Sequence, residues 1–338
     1  DPGLFRSLAF DAMTRKSLTR SSVVFILAAA GLLCPARAAD SKDGVKITPL
    51  DDRLRIEING ELFSEYHFKD VSRPFLYPVI GPDGLPMTRD WPMKEANNEE
   101  HDHKHHRSLW FEHGEMNGVD FWSEEPKAGR TVHEEFTEIK SGRDEGVIRS
   151  NDKYVAPDGK VVCTDDRTIR IYNRPAERLF DYEVTVHASN GDLVFGDTKE
   201  GMMSMRLNET MRLAPNKFNK GKPTGHIVNS EGVRDEATWG KRANWVDYYG
   251  PVRGKTVGVA IFDHPQNPRH PTWWHVRDYG LFGANPFGLH DFEKKPVGAG
   301  NFTVPAGKSV TFRYRFYIHP GDEKEAKVAQ RYAEYAKQ

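Results

Sequence analysis

Period-two alternation of apolar and polar residues is the feature that most restricts the fold of this chain. Every second residue of 309–319 is large and apolar, and the same pattern recurs over 179–186. Successive side chains of a strand point to opposite faces of a sheet, so this pattern indicates half-buried antiparallel strands. Helical patterns do not separate the alternating segments. The sequence therefore predicts an all-β fold, an antiparallel β-supersandwich, with a short C-terminal helix over 322–337.

Turn signals support this prediction. Asn59-Gly60 stands between two alternating segments, 53–58 and 61–68, and supplies the two positive φ angles of a tight hairpin turn. Residues 256–262 are continuously apolar, which is typical of a strand buried on both faces. The 29 glycines and 21 prolines also suit a turn-rich β protein better than a helical one.

The N-terminal 39 residues have the order of a secretory signal peptide. Met13 is followed by basic residues, by the apolar run 23–33, and by the small-residue pattern Ala36-Arg37-Ala38. We therefore expect an upstream extension and signal peptide over 1–39, a single β-sandwich domain over 40–338, and a periplasmic or secreted location. The apolar run has about half of the roughly 20 residues that a membrane span needs, so no membrane span is predicted.

Charge and cysteine content restrict the partners. The chain has 48 basic and 49 acidic residues, so no net field attracts nucleic acid, and no partner protein is evident. After the predicted signal peptide Cys163 is the one remaining cysteine. It lies in an alternating segment, which favours a small core residue over a nucleophile.

Residues 97–122, the first polar segment, hold the densest chemistry in the chain. Five of the 14 histidines fall here, beside carboxylates and large aromatic residues. Imidazoles transfer protons near neutral pH, and a carboxylate beside an imidazole in a half-buried pocket adjusts its pKa for that task. Aromatic faces next to polar groups suit a sugar. The candidates for catalysis are His105, His106 and His113, and the candidates for substrate binding are Arg107, Trp110, Asp120 and Trp122.

Residues 263–288, the second polar segment, follow the buried strand 256–262 and contain four prolines and three histidines. A polar loop that leaves a buried strand is typical of a site rim. We expect it to face the first polar segment, with His270 in catalysis, and we add Glu200 as the catalytic carboxylate from the middle of the chain. The predicted substrate-binding residues here are Asp263, His264, Asn267, Arg269, Trp273, His275 and Asn285, and Trp274 and Arg277 are further candidates to face the site.

A metal is the alternative to metal-free proton transfer. If 101–105 were a strand, His101, His103 and His105 would share one face at metal-ligand spacing. The segment is loop-like, however, and it has no helical His-Glu-x-x-His pattern. No cofactor is therefore expected, and a divalent metal held by these three histidines is the runner-up hypothesis.

Several motifs, matched in order, resemble the PmoA family of secreted bacterial proteins, whose members often carry the label methane oxygenase. The motifs are HHRSLWFEHGEMNGVDFW at 105–122, KEG at 199–201, WVDYYG at 245–250, DHPQNPRHPTWWHVRDYGLF at 263–282 and NPFG at 285–288. The resemblance covers nearly the whole chain after the predicted signal peptide. It implies a galactose-mutarotase-like β-sandwich and a place among sugar-degrading enzymes.

Together these features predict an exported carbohydrate-active enzyme that acts on a sugar or glycoside as a mutarotase, hydrolase or lyase. In a mutarotase-type cycle His106 or His113 would donate a proton to the ring oxygen while Glu200 removes the anomeric proton. Arg107 and Arg269 would hold hydroxyls or a substrate carboxylate. The alternatives are a metal-dependent hydrolase or oxygenase and a non-catalytic carbohydrate-binding protein.

Overall fold

Alternating apolar residues form the strands of this protein, as expected from their period. The computed structural model describes residues 43–222 and 224–338, so the predicted signal peptide and upstream extension lie outside the described residues. In chain order the elements are β1 (Val45–Pro49), β2 (Arg53–Ile58), β3 (Glu61–His67), β4 (Phe75–Val79), β5 (Leu109–His113), β6 (Arg130–Lys140), β7 (Glu145–Val155), β8 (Val161–Tyr172), β9 (Arg178–His187), β10 (Leu193–Phe195), β11 (Gly201–Arg206), β12 (His226–Asn229), β13 (Trp245–Val252), β14 (Lys255–Asp263), β15 (Trp273–Val276), β16 (Leu281–Asn285), α1 (Leu289–Glu293), β17 (Phe302–Val304), β18 (Ser309–Pro320) and α2 (Val328–Tyr335).

Two eight-stranded antiparallel sheets make up the fold. The first sheet has the order β1-β2-β3-β4-β5-β11-β16-β15, and the second has the order β12-β13-β14-β18-β9-β8-β7-β6. Strands β10 and β17 pair separately as a small ribbon. The predicted all-β antiparallel supersandwich with a short C-terminal helix is confirmed.

The core lies between the two sheets. Phe63 of the first sheet meets Phe180 of the second edge to face, with ring centroids 5.4 Å apart, and Phe111 meets Phe312 at 5.7 Å. Such pairs contribute about 0.5–1.5 kcal/mol beyond the area they bury. Cys163 is buried in the same core, as expected.

The predicted hairpin and the long alternating strand both form. Strands β2 and β3 pair across Asn59 and Gly60, which have φ angles of 52° and 79°. Strand β18 covers the predicted segment 309–319 and pairs with both β9 and β14.

The C-terminal helix begins later than predicted. Asp322 Oδ1 accepts hydrogen bonds from the backbone N–H groups of Lys324 and Glu325, which forms a turn. Lys327 then has a left-handed φ of 55°, so α2 begins only at Val328 and lacks the predicted acidic first turn. The acidic residues lie in the preceding turn instead.

Strand β5 directs side chains to both faces of the first sheet. Leu109 and Phe111 point into the core between the sheets. Trp110 points to the opposite face, where it forms a separate cluster with Phe75, Trp122 and Leu281. That outer face carries the candidate site.

Candidate functional site

A cavity of about 520 Å³ lies over the outer face of the first sheet. This volume falls within the roughly 300–1,000 Å³ that is typical of small-molecule sites. Four stretches of chain form its walls: the loop before β5, the loop after β5, the loop before β11, and the end of β15 with the turn that follows. Its lining residues are His103, His105, His106, Gly114, Asp120, Trp122, Ser123, Thr198, Lys199, Glu200, His275, Arg277 and Tyr279.

The cavity joins the two polar segments. Cross-strand pairing places His275 opposite Gly283, Gly283 opposite Ser204, and Ser204 opposite Trp110. Directly paired residues project from the same face of a sheet, so His275 projects from the same outer face as Trp110. The predicted meeting of the segments thus occurs through His275 and Arg277 of the second polar segment.

Four aromatic rings form one continuous stack at the cavity wall. Tyr279 stacks on His103 with ring centroids 5.2 Å apart, and His103 stacks on His106 at 4.7 Å. His106 in turn stacks on Trp110 at 5.4 Å. The stack leaves His106 only 1% exposed, so the position of its ring is fixed by both neighbours.

A hydrogen bond from Arg206 determines the tautomer of His106. Arg206 Nη1 lies 3.1 Å from His106 Nδ1, and a guanidinium can only donate. Nδ1 therefore accepts this hydrogen bond, and the neutral ring carries its hydrogen on Nε2. Burial, followed by the charge of Arg206, holds the pKa of His106 well below its usual range. His106 is thus a neutral imidazole with an N–H donor at Nε2.

Behind His106, two buried arginines share one carboxylate. Arg206 and Arg89 are both fully buried, and both donate hydrogen bonds to Asp102. Burial opposes ionisation of Asp102, but the hydrogen bond with His103 and the two guanidinium charges lower the pKa of its carboxyl group overall. The three side chains form a charged support, called here the Arg89–Asp102–Arg206 cluster.

Two further histidines of the cavity are also kept neutral. Burial lowers the pKa of His105 to about 4. Burial, followed by the charge of Arg277, lowers the pKa of His275 to about 3. His275 is 3% exposed, and its Nδ1 has no hydrogen-bond partner among the described residues. The cavity therefore contains imidazoles that accept or donate hydrogen bonds without carrying charge at neutral pH.

Glu200 supplies a carboxylate to the cavity. Its side chain is 34% exposed and pairs with Lys199 Nζ at 3.2 Å. The Gly114 backbone N–H donates to the Glu200 carbonyl oxygen at 2.6 Å, and a Cβ on Gly114 would lie only 2.8 Å from Glu200 Cβ. A glycine at 114 thus permits Glu200 to approach the end of β5.

Asp120 lines the cavity but has a structural task as well. Its Oδ1 accepts hydrogen bonds from the backbone N–H groups of Trp122 (2.7 Å) and Ser123 (3.1 Å), and its Oδ2 accepts from the Ser123 hydroxyl. These bonds hold Trp122 at the cavity wall. Trp122 offers an aromatic surface there, as predicted from the sequence.

Three predicted residues of the first polar segment lie beside or beneath the cavity. His113 is directed into the core, packs on Phe195 and Phe287, and is hydrogen-bonded through Nε2 to the Gly196 carbonyl. Burial lowers its pKa to about 4. Trp110 supports His106 from below. Arg107 donates two hydrogen bonds to Glu124, so this arginine is already occupied.

The first half of the second polar segment forms its own hydrogen-bond network outside the cavity. Asp263 is fully buried and accepts from Asn267 Nδ2 (2.8 Å), His270 Nδ1 (2.7 Å) and the Thr272 backbone N–H (2.9 Å). His264 lines a different cavity of about 220 Å³ on the second sheet. These four predicted site residues, Asp263, His264, Asn267 and His270, therefore do not line the cavity with His106.

Three other predicted residues of this segment are also engaged elsewhere. Arg269 donates to the carbonyl oxygens of Pro286, Gly300 and Asn301. Trp273 donates through Nε1 to Glu293. Asn285 borders the site indirectly, because its Nδ2 donates to the carbonyl of Thr198, a lining residue. The further candidate Trp274 belongs to the core and donates through Nε1 to the Ala243 carbonyl.

The three histidines of the metal hypothesis do not share one face. His101 stacks on Trp91 at 5.1 Å, and its Nε2 lies 3.0 Å from the Ala96 carbonyl oxygen. His103 and His105 line the cavity, with their rings nearly perpendicular at 5.9 Å. The alternation expected of a strand is absent because 101–105 is a loop. Over 43–222 and 224–338, no group of three or more His, Cys, Asp or Glu side chains is arranged to hold a metal ion.

Sequence reasoning missed several residues of the site. Lys199 and Tyr279 line the cavity, and Arg89 and Arg206 stand behind it. The KEG motif at 199–201 and the long motif at 263–282 contained the first two residues, but no local pattern marked the two arginines. Arg206 reaches His106 across 100 positions of sequence, so its role depends on the pairing of β5 with β11.

Comparisons with solved structures return weak similarities. An alpha-galactosidase from Lactobacillus brevis has a TM-score of 0.39 at 8% identity, over 83% of this chain and 40% of that chain. A Glycoside Hydrolase Family 97 enzyme from Pseudoalteromonas sp. strain K8, in complex with acarbose, has a TM-score of 0.33 at 11% identity, over 82% and 34%. A putative aldose 1-epimerase from Escherichia coli K12 has a TM-score of 0.29 at 10% identity, over 82% and 100%. The chain spans about a third of the length of the Family 97 enzymes.

None of the helices in the described part of the chain has the length and apolarity of a membrane span. No curated protein sequence matches the chain significantly. One family model does match, over residues 53–333, and its description is a family of unknown function, DUF6807. Because the match covers most of the chain, the protein belongs to the DUF6807 family.

Proposed function

We propose that this protein is an exported carbohydrate-active enzyme that acts on a sugar or glycoside by acid–base catalysis. The observation that carries the proposal is the lining of one cavity. Neutral imidazoles of His105, His106 and His275, the carboxylate of Glu200, and the aromatic surface of Trp122 all meet there. Sugar sites need hydroxyl partners, an aromatic face and proton-transfer groups together, and this cavity has each of them.

The two catalytic roles, a hydrogen-bond donor and a proton acceptor, fall to different groups. His106 has a neutral ring with an N–H at Nε2, so it is suited to donate a hydrogen bond to a developing oxyanion, such as a ring or leaving-group oxygen. Glu200 is a half-exposed carboxylate paired with one ammonium, so it is suited to accept a proton from a hydroxyl or from water. His105 and His275 supply further hydrogen bonds to hydroxyls. The reaction class stays open among mutarotation, hydrolysis and elimination.

We also propose that the protein is exported to the periplasm or the medium, and the signal-peptide pattern of residues 13–38 supports this. The motifs matched in order support a likeness to the PmoA family. A balanced charge of 48 basic and 49 acidic residues supports a small carbohydrate rather than nucleic acid as the ligand.

The test is a screen of monosaccharides and disaccharides, with mutarotation, reducing-end release and formation of unsaturated sugars followed in parallel. On an active sugar, Glu200→Gln should lower turnover by about 10²- to 10⁴-fold while the sugar still binds. Glu115→Gln is the matched control, because Glu115 is an exposed carboxylate outside the cavity lining. Binding without turnover by the parent protein would favour a carbohydrate-binding protein. Activity that disappears with chelation and returns with a divalent metal would favour the metal-dependent alternative.

A further inference from the structure

All but one of the charged side chains that line the cavity form hydrogen bonds or ion pairs with other described residues. Glu200 is paired with Lys199, and the oxygens of Asp120 are occupied by donors from Trp122 and Ser123. Lys199 also lies 4.0 Å from Asp291. Arg277 is the remaining charged lining residue, and its guanidinium has no hydrogen-bond acceptor or ion-pair partner in 43–222 and 224–338.

Arg277 is held in place by rings rather than by carboxylates. Its guanidinium lies over Trp239 at 5.7 Å and over Tyr279 at 5.5 Å. Glu236 and Asp278 line an adjoining cavity together with Arg277, yet neither forms an ion pair with it. Aromatic faces hold a guanidinium without using its N–H donors. The five donors of Arg277 are therefore left for a ligand.

The histidines near Arg277 are neutral and add no charge of their own to the cavity. Burial lowers the pKa of His105 to about 4 and that of His275 to about 3, so both are neutral at pH 7. Arg277 lines the same cavity as these imidazoles, and its charge contributes to the lowered pKa of His275. At neutral pH the charged lining residues are therefore the carboxylates of Asp120 and Glu200 and the cations of Lys199 and Arg277. Of these four, Arg277 is the one whose side chain has no hydrogen bond or ion pair within 43–222 and 224–338.

We propose that the ligand of this cavity is an acidic sugar, such as a uronic acid, whose carboxylate binds Arg277. This inference rests on the proposed function, because it specifies the substrate class of the same cavity. A planar carboxylate fits the two parallel N–H donors of a guanidinium. The lining offers one available guanidinium next to the carboxylates of Asp120 and Glu200, so it suits a monoanion better than a sugar phosphate, which carries about −1.5 to −2 at pH 7. The sugar ring lies against Trp122, and the unpartnered Nδ1 of His275 accepts from a hydroxyl.

Calorimetric titration compares D-glucuronate and D-galacturonate with D-glucose, D-galactose and D-glucose 6-phosphate. The uronates should bind about 10- to 100-fold more tightly than the neutral sugars, as expected for hydrogen bonds to a charged group. Arg277→Gln should abolish that preference, and Arg277→Lys should restore part of it. Arg253→Gln, which removes the same charge from an exposed turn between β13 and β14, should leave the preference unchanged. Thermal unfolding of each variant checks that the fold is retained.

The outcomes separate the two proposals. If neutral sugars bind and turn over as well as uronates do, and Arg277→Gln binds both like the parent, the acidic-sugar inference is overturned and the proposed function stands. Preference for the sugar phosphate overturns the assignment to a carboxylate in the same way. If none of the sugars binds or reacts, the proposed function fails together with the inference.

Discussion

The two polar segments look alike in sequence but differ in the structure. Both combine histidines, carboxylates and tryptophans, yet the first polar segment supplies six lining residues of the cavity. The second supplies its lining only from its latter half, through His275, Arg277 and Tyr279. Its first half forms a local hydrogen-bond network around Asp263. A histidine is therefore available for chemistry only when the fold places its ring at the cavity, because a ring held in the core or in a local hydrogen-bond network cannot reach a ligand.

The largest expected difference between the two segments is in turnover, and replacing one histidine of each segment by asparagine tests it. In His106→Asn the amide oxygen can still accept from Arg206, but the N–H at Nε2 is lost. We expect turnover on an active sugar to fall by about 10²- to 10⁴-fold. In His270→Asn the amide can still donate to Asp263, so turnover should be unchanged. Steady-state kinetics with the substrate from the sugar screen measures both, and equal losses in the two variants would remove the distinction between the segments.

A buried histidine of the first polar segment should make the free energy of unfolding depend on pH. The folded-state pKa of His113 is lowered to about 4 by burial, so between pH 6.5 and 4 the unfolded chain binds a proton that the folded chain does not. Stability therefore falls as the pH falls through this window, by about 1.4 kcal/mol per pH unit for this group, or roughly 3 kcal/mol in all. In His113→Phe the difference in unfolding free energy between pH 7 and pH 4 should be smaller by that amount.

Urea denaturation at several pH values measures this effect. The matched variant is His264→Phe in the second polar segment. Burial also lowers the pKa of His264, but this residue borders an open cavity, so its contribution should be smaller. A pH dependence in His113→Phe equal to that of the parent would contradict the prediction.

The smallest effect is expected from two carboxylates that act as acceptors. Asp263 is fully buried and accepts three hydrogen bonds, so Asp263→Asn should lower the free energy of unfolding by about 1–3 kcal/mol. Asp120 lies at the cavity wall, where water can replace its lost bonds, so Asp120→Asn should cost less, about 0.5–1.5 kcal/mol. Chemical denaturation compares them. The reverse order would mean that the first half of the second polar segment is not primarily structural.

The fold was predictable because strands have a local signal. The alternation of 309–319 and the Asn59-Gly60 turn each specify their element within a few residues, and β18 and the β2–β3 hairpin formed where expected. The start of α2 was not predictable from its acidic residues, since these were used in a turn that Lys327 ends in a left-handed conformation.

The site was predictable only in part, because hydrogen-bond partners are distant in sequence. The sequence alone does not distinguish His101, His105 and His270, because each is a histidine within a polar segment. In the structure His101 is hydrogen-bonded to the Ala96 carbonyl and His270 is hydrogen-bonded to Asp263, whereas the His105 ring has no hydrogen bond to any residue that the structure describes. Arg277 was a candidate from its segment, but its lack of a partner depends on contacts of the folded chain.

The Arg89–Asp102–Arg206 cluster also has a consequence for how this protein can diverge. Loss of Asp102 alone would leave two buried guanidinium groups without a carboxylate, and loss of Arg206 alone would remove the donor that sets the tautomer of His106. Loss of Asp102 is therefore costly, since an unpaired buried charge destabilises by about 3–5 kcal/mol. Loss of Arg206 leaves Asp102 paired with Arg89 but no longer fixes the tautomer of His106. We expect these three positions to be inherited as one unit, so that in related sequences they are either all retained or all replaced together with the histidine they support.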